Sequence, residues 1–310
     1  MPINLVPETY RGRFAPSPTG PLHFGSLIAA IGSYLQARSQ GGEWLVRMED
    51  LDPPREVPGA ADAILHTLEC YGFEWDGPVL YQSQRTEAYL ETLAQLRHEG
   101  HSYRCGCSRK AIAEAGERLG LPAGVYPGSC RNRHIAERQR HAIRLLLPEG
   151  EIDFVDGIQG RYGQRLEREV GDFVLRRADG LFAYQLAVVV DDAYQGITEV
   201  VRGSDLLDNT PRQIALQQVL GLPTPHYRHL PVVVNAQGQK LSKQTFAPAL
   251  DDDNPLPALW LGLEFLGQRP IPELMEGEID SLWRWAMDNW NSETIPRTLG
   301  RTLPAGPIKA

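Results

Sequence analysis

The chain has 310 residues, enough for one large or two moderate domains, and its 42% hydrophobic and 23% charged content is ordinary for a soluble globular protein. Its net charge of −8 excludes binding to nucleic acid through overall basicity, so any RNA contact has to use a local patch. There is no apolar run of about 18 residues and no basic segment leading into an apolar core at the N-terminus, so neither a membrane span nor a secretory signal is expected, and a cytoplasmic location follows.

Residues 10–15 read as a first strand. The stretch 13–27, RFAPSPTGPLHFGSL, follows from it. Pro16, Pro18 and Pro21 fix φ and remove donors, which makes a rigid loop, and Gly20 and Gly25 allow close approach of a ligand. From Ser26 the apolar residues Leu27, Ile31, Tyr34 and Leu35 recur at helical spacing until Gly41 and Gly42. A stiff loop opening onto a helix N-terminus suits phosphate, and His23 stands just before that helix. Residues 43–50 then read as a second strand. Strand, helix and strand at this spacing predict a βαβ unit in a parallel sheet, whose ligands bind beyond the carboxyl ends of the strands. Arg13, Ser17, Glu49 and Asp50 fall there and are expected to face one pocket.

Residues 60–71 and 86–100 have helical patterns, with Cys70 expected as a small buried hydrophobe. Cys105, Cys107 and Cys130 can supply three ligands of a tetrahedral zinc site. Tyr126 and His134 are the local choices for a fourth, and general chemistry favours His134. Arg131, Arg133, Arg138, Arg140 and Arg144 lie close together, opposed only by Glu137. This is the best candidate for an RNA footprint, against the alternative of a solvated basic face.

Residues 141–147 and 152–155 read as strands. Residues 173–177 and 181–184 read as a hairpin around Asp179–Gly180. The apolar run 186–190 is of strand length and is closed by Asp191 and Asp192. Residues 197–201 form a β-branched strand that delivers Arg202. Thr210 as N-cap, Pro211 in the first turn and Gln213 at the capping-box position predict a helix ending at Gly221. Residues 232–235 are a further strand, followed by Lys240, Leu241, Ser242, Lys243 and Gln244. Residues 255–266 and 279–290 look helical, and the proline-rich tail from Thr294 is expected to be loosely ordered.

The string RFAPSPTG leading into His23, Phe24, Gly25, Ser26 resembles the nucleotide-binding signature of class I aminoacyl-tRNA synthetases in the glutamyl form, with Ser26 in place of a second histidine. KLSKQ resembles the second signature of that class. The resemblance covers roughly residues 10–250. It implies an α/β fold: a Rossmann-like parallel sheet with an inserted zinc-knuckle subdomain of the acceptor-binding type and a short helical C-terminal region. The expected organisation is a first half of the catalytic domain over 1–100, a zinc subdomain over 101–140, a second half over 141–245, and a helical region over 246–310 with no room for an anticodon-binding domain.

By the same resemblance, glutamate is held by Arg13, Phe14, Ala15, Pro16, Ser17, Glu49, Tyr184 and Arg202. ATP is held by His23, Gly25, Ser26, Lys240 and Lys243, with His23 and Lys243 acting on the reacting phosphates and Mg²⁺ on the leaving pyrophosphate. One structural zinc is held by Cys105, Cys107, Tyr126 and Cys130. The chain is most similar to the glutamyl-Q tRNA(Asp) synthetase family, which implies activation of L-glutamate without tRNA and its transfer to queuosine of tRNA(Asp), by a monomeric protein. The alternatives are a shortened glutamyl-tRNA synthetase acting on tRNA(Glu), and a non-catalytic RNA-binding protein derived from the same fold.

Overall fold

A computed structural model describes residues 9–235, 237–240 and 248–303. Strand β1 (Arg11–Phe14), helix α1 (Phe24–Ser39) and strand β2 (Glu43–Met48) form the expected parallel unit, with Arg13 opposite Leu45 and Phe14 opposite Val46. Helix α1 starts at Phe24, two residues before the apolar periodicity begins, because His23 caps it. Its residues Leu27, Ile31, Tyr34 and Leu35 are all buried, as their spacing predicted. Helix α2 (Ala60–Cys70) follows, and strand β3 (Leu80–Tyr81) joins the far side of β2 in parallel. Helix α3 (Thr86–His98) matches its predicted position.

Strand β4 (Ser102–Cys105) and helix α4 (Arg109–Arg118) lead into an irregular segment. Strands β5 (Ala142–Leu145), β6 (Ile152–Asp156) and β7 (Gly160–Gln164), helix α5 (Leu166–Glu169) and strand β8 (Val174–Arg176) come next. Strands β4, β5 and β8 make a small antiparallel sheet apart from the parallel one, and β6 and β7 make a hairpin. The Asp179–Gly180 turn is present, with Arg176 and Phe182 bridged across it and Gly180 at φ +94°.

The run 186–190 is not a strand. It lies within helix α6 (Tyr184–Tyr194). Leu186, Ala187, Val188 and Val189 are buried on successive faces, so the helix shows no polar stripe and its period is hidden in the sequence. Strand β9 (Glu199–Gly203) then returns beside β1, where the Thr198 amide donates to the Arg11 carbonyl at 2.9 Å. Helix α7 (Thr210–Leu220) ends at Gly221 in the left-handed region. Its N-cap is Asn209 and no side chain caps it, so Thr210 does not play the predicted role. Strand β10 (His226–Leu230) pairs in parallel with β9, and strand β11 (Val232–Val234) follows. Helix α1 closes onto β10 because Gly32 lacks a Cβ; one placed there would meet Leu230 Cδ1 at 2.5 Å.

Helices α8 (Leu256–Phe265) and α9 (Ile279–Asn289) pack back onto the parallel unit. Trp283 of α9 meets Tyr34 and Phe73 edge-on at 5.0 and 4.9 Å, and its indole N–H donates to the Tyr71 carbonyl. Residues 294–303 are ordered where looseness was expected, and the rest of the tail lies outside the described residues. Strand β12 (Gly300–Thr302) pairs in parallel with β11, and Arg301 donates to the Phe265 carbonyl at 2.6 Å. Cys70 is half-buried rather than fully buried, with its Sγ 3.5 Å from His66 Nε2. Among the described residues no helix is long and apolar enough to cross a membrane.

Candidate active site

A cleft of about 1030 Å³ opens at the carboxyl ends of β1, β2 and β9, where the topology predicts a ligand. Arg13, Phe14, Ala15, Pro16 and Ser17 line it from the first strand and its loop, and Glu49 from the end of β2. Tyr184 enters from the start of α6 and Arg202 from β9. His23, Gly25 and Ser26 line it at the start of α1, and Lys240 lines it as well. Asp50 takes no part; it accepts hydrogen bonds from the Ser83 amide and hydroxyl.

His23 has a defined tautomer. Its Nδ1 accepts the Ser26 N–H at 3.2 Å, so the ring proton is on Nε2, which is a donor at the helix N-terminus. Lys240 Nζ contacts Asp205 Oδ2 at 2.6 Å, and Lys240 also bridges to Val234. Leu241, Ser242, Lys243 and Gln244 lie outside the described residues. The residues on either side of that stretch border the first loop region: Lys240 lines the cleft, and Ala249 pairs antiparallel with His23.

Arg13 and Glu49, which line the cleft, belong to a buried charge network that only partly follows from the motifs. Arg13 Nε contacts Asp192 Oδ1 at 3.1 Å, and Arg47 Nη1 contacts the same oxygen at 2.8 Å. Arg47 also reaches Glu49 at 3.5 Å. Burial would raise the Asp192 carboxyl, but Arg13 and Arg47 outweigh it and hold it below the ordinary carboxylate range. Burial dominates at Glu49, which is raised despite Arg47 and Arg13. Tyr184 is likewise raised by burial.

Arg202 is not spent on an ion pair with Glu199 or Asp205, the two carboxylates nearest it in sequence. Glu199 pairs with Arg228, and Asp205 with Lys240. Arg202 donates from Nε to His229 Nε2 at 3.0 Å, from Nη1 to the Tyr184 hydroxyl at 3.3 Å and from Nη2 to Thr210 Oγ1 at 2.8 Å. Asp192, Arg47, Asp156 and His229 carried no motif signal. The doublet Asp191–Asp192 after an apolar run was the one available clue, since a carboxylate buried there requires cationic or hydrogen-bonding partners.

Cys105, Cys107 and Cys130 bring their sulfur atoms within 4.8 Å of one another. The Tyr126 hydroxyl lies 3.3 Å from Cys105 Sγ and accepts the Cys130 amide at 3.0 Å. The backbone of Tyr126 passes so close to Gly171 that a Cβ there would meet the Tyr126 carbonyl at 2.1 Å, and φ at Gly171 is +73°. His134, favoured on general chemistry, is exposed and outside this group. Burial, together with the neighbouring Cys130 and Cys105, pushes the Cys107 thiol up to about 12 when no cation is close. Three thiols this close together can supply three ligands of a tetrahedral zinc ion.

The five-arginine footprint is smaller than the sequence suggested. Arg131 is bidentate to Asp172 at 2.6 and 2.7 Å. Arg144 is buried, donating to the Asp172 carbonyl and lying over the Tyr126 ring at 3.7 Å. Both therefore brace the cysteine segment. Glu137 pairs with Arg104 instead of opposing the cluster. Arg133, Arg138 and Arg140 are the members left exposed without a carboxylate partner.

The family model for tRNA synthetases class I (E and Q), catalytic domain, matches residues 9–255. The fold and the cleft thus define a class I aminoacyl-tRNA synthetase catalytic domain. The chain is 60% identical over 96% of its length to the glutamyl-Q tRNA(Asp) synthetase of Dechloromonas aromatica, covering 99% of it. It is 56% identical over 97% of its length to that of Chromobacterium violaceum, covering 97% of it. Within the class, the chain belongs to the glutamyl-Q tRNA(Asp) synthetase family. A crystal structure of a glutamate tRNA ligase from Elizabethkingia meningosepticum in complex with its amino acid is similar at a TM-score of 0.80 and 26% identity, over 96% of this chain and 68% of that one.

Proposed function

We propose that this enzyme activates L-glutamate with ATP, without tRNA, and transfers the glutamyl group to a hydroxyl of queuosine in tRNA(Asp). The observation that carries the first step is the convergence of Arg13, Glu49, Tyr184 and Arg202 in one cleft with the His23 turn and Lys240. Arg13, Arg47 and Arg202 exceed Asp192 and Glu49 by one positive charge, which suits an amino acid bearing one net negative charge. Arg202 and the Tyr184 hydroxyl face the side-chain carboxylate, and Glu49 accepts from the α-ammonium.

ATP enters as its Mg²⁺ complex. A glutamate α-carboxylate oxygen bonds to the α-phosphorus as the bond to the β-phosphate oxygen breaks, giving glutamyl adenylate and pyrophosphate. His23 Nε2–H, the start of α1 and the lysines of the second signature, Lys240 and Lys243, offset the charge that develops. In the second step a queuosine hydroxyl attacks the mixed anhydride, an ester forms and AMP leaves. Arg133, Arg138 and Arg140 give the acidic protein a local cationic surface for the RNA.

Zinc, held by Cys105, Cys107, Cys130 and Tyr126, would act structurally, since four protein ligands leave no open position. Incubating the enzyme with ATP, labelled glutamate and bulk tRNA, with and without queuosine, tests the reading. Label is expected only on queuosine-containing tRNA, and to persist when the 3′-terminal CCA is removed with nuclease. Label that depends on an intact 3′ end, or that ignores queuosine, would favour conventional charging of tRNA(Glu).

A further inference from the structure

Arg202 is held from behind by a chain of buried polar groups. Asp156 Oδ1 accepts the backbone N–H groups of Ile158, Gln159 and His229 at 3.0, 2.9 and 3.1 Å. That fixes the carboxylate, and its other oxygen meets His229 Nδ1 at 2.5 Å. Nδ1 therefore carries the ring proton, and Nε2 presents a lone pair to Arg202 Nε–H at 3.0 Å. The imidazole is fully buried and lies nearly parallel to the Tyr227 ring, at 10° and 6.2 Å.

All three guanidinium nitrogens of Arg202 are thereby engaged, Nη2 lying also 3.4 Å from the Leu206 carbonyl. Nε is taken by His229 and Nη2 by Thr210. Nη1 is left beside the Tyr184 hydroxyl, where both line the cleft. Buried polar chains add little stability compared with apolar packing, so this one is better understood through the orientation that it fixes.

We infer that His229, fixed by Asp156, is the positioning residue that aims Arg202 at the carboxylate of the amino-acid substrate. The inference rests on reading the cleft as a glutamate site. His229 touches no substrate; it acts through Arg202.

The test measures glutamate-dependent pyrophosphate exchange and equilibrium glutamate binding for the wild type, His229→Leu, His229→Gln and Asp156→Asn. Losing a hydrogen bond to a charged group predicts that His229→Leu raises the glutamate KM and Kd about tenfold to a hundredfold, with the ATP KM held within about twofold. His229→Gln places an acceptor oxygen near the Nε2 position and recovers most of that loss. Asp156→Asn is the sharper variant. The backbone amides retain the oxygen, so the new NH₂ faces Nδ1 and drives the ring proton to Nε2, against Arg202 Nε–H. Glutamate affinity falls although the side chain keeps its shape.

Should His229→Leu fail to fold, Asp156→Asn and His229→Gln decide the matter. Folded Asp156→Asn or His229→Leu with wild-type glutamate KM and Kd overturns the inference and leaves the glutamate reading intact. A wild type that neither binds glutamate nor exchanges pyrophosphate overturns the reading itself.

Discussion

Asp192 Oδ1 on α6 contacts Arg47 Nη1 on β2 at 2.8 Å, and both residues are buried. The same oxygen contacts Arg13 Nε on β1 at 3.1 Å. One carboxylate thus bridges guanidinium groups on two neighbouring strands, one of which, Arg13, lines the cleft. Removing one partner from a buried charge group strands the others in a medium that solvates them poorly.

Asp192→Asn is expected to destabilise the fold by about 3–5 kcal/mol and to weaken glutamate binding, because two cations lose their common partner. Urea unfolding measures the first effect. The pH dependence has a defined sign. Asp192 is held below its unfolded value of about 3.9, so its contribution is fully present above that pH and is lost as pH falls through the folded value. Stability of the wild type should therefore fall more steeply below about pH 4 than that of Asp192→Asn. Equal slopes would show that Asp192 contributes no such linkage.

His23 has two separable roles. It caps α1 through Nδ1, and it lines the cleft. His23→Ala should cost about 1 kcal/mol of stability for the cap and about 10²–10³ in the rate of pyrophosphate exchange. His23→Asn keeps a good N-cap but loses the reach of Nε2, so thermal melting should match the wild type while the exchange rate stays low. Lys243→Ala should lose rate by a comparable factor, about 10²–10³, in the same assay.

Arg202→Lys keeps the positive charge but forfeits the fork that engages His229, Tyr184 and Thr210 together. The glutamate KM is expected to rise by about tenfold or more, with the ATP KM unchanged. Steady-state kinetics with each substrate varied in turn would show it. A glutamate KM equal to that of the wild type would remove Arg202 from the amino-acid site.

Zinc added to the metal-free protein at neutral pH should release protons, because a thiol raised as far as Cys107 is protonated until a cation binds. Calorimetry in buffers of different ionisation enthalpy counts them. Chelation, or Cys130→Ala, should lower the melting temperature through the segment braced by Arg131, Arg144 and Asp172. Elemental analysis finding no zinc in the purified protein would end the assignment.

The local features were legible in the sequence because local chemistry dictates them. Prolines at 16, 18 and 21 set a stiff loop, the spacing of Leu27, Ile31 and Leu35 set a helix, and the glycines after it set its end. The first signature string, Lys240, a tyrosine, an arginine and three cysteines then sufficed to mark the candidate cleft and the cysteine cluster. The misreadings occur where burial erases pattern. Residues 186–190 look like a strand because a helix surrounded by protein shows no polar face, and Thr210 was assigned to a cap although its hydroxyl serves Arg202 instead. The tail looked loose because its prolines conceal a three-residue strand that only β11 completes.

Partners that stand far apart along the chain were settled by the tertiary structure alone. Arg13 and Asp192 are separated by 179 residues, and Asp156 and His229 by 73. No periodicity or motif links such pairs. They meet because a charge carried into a low-dielectric interior is tolerated only beside its complement, and the fold decides which complement that is.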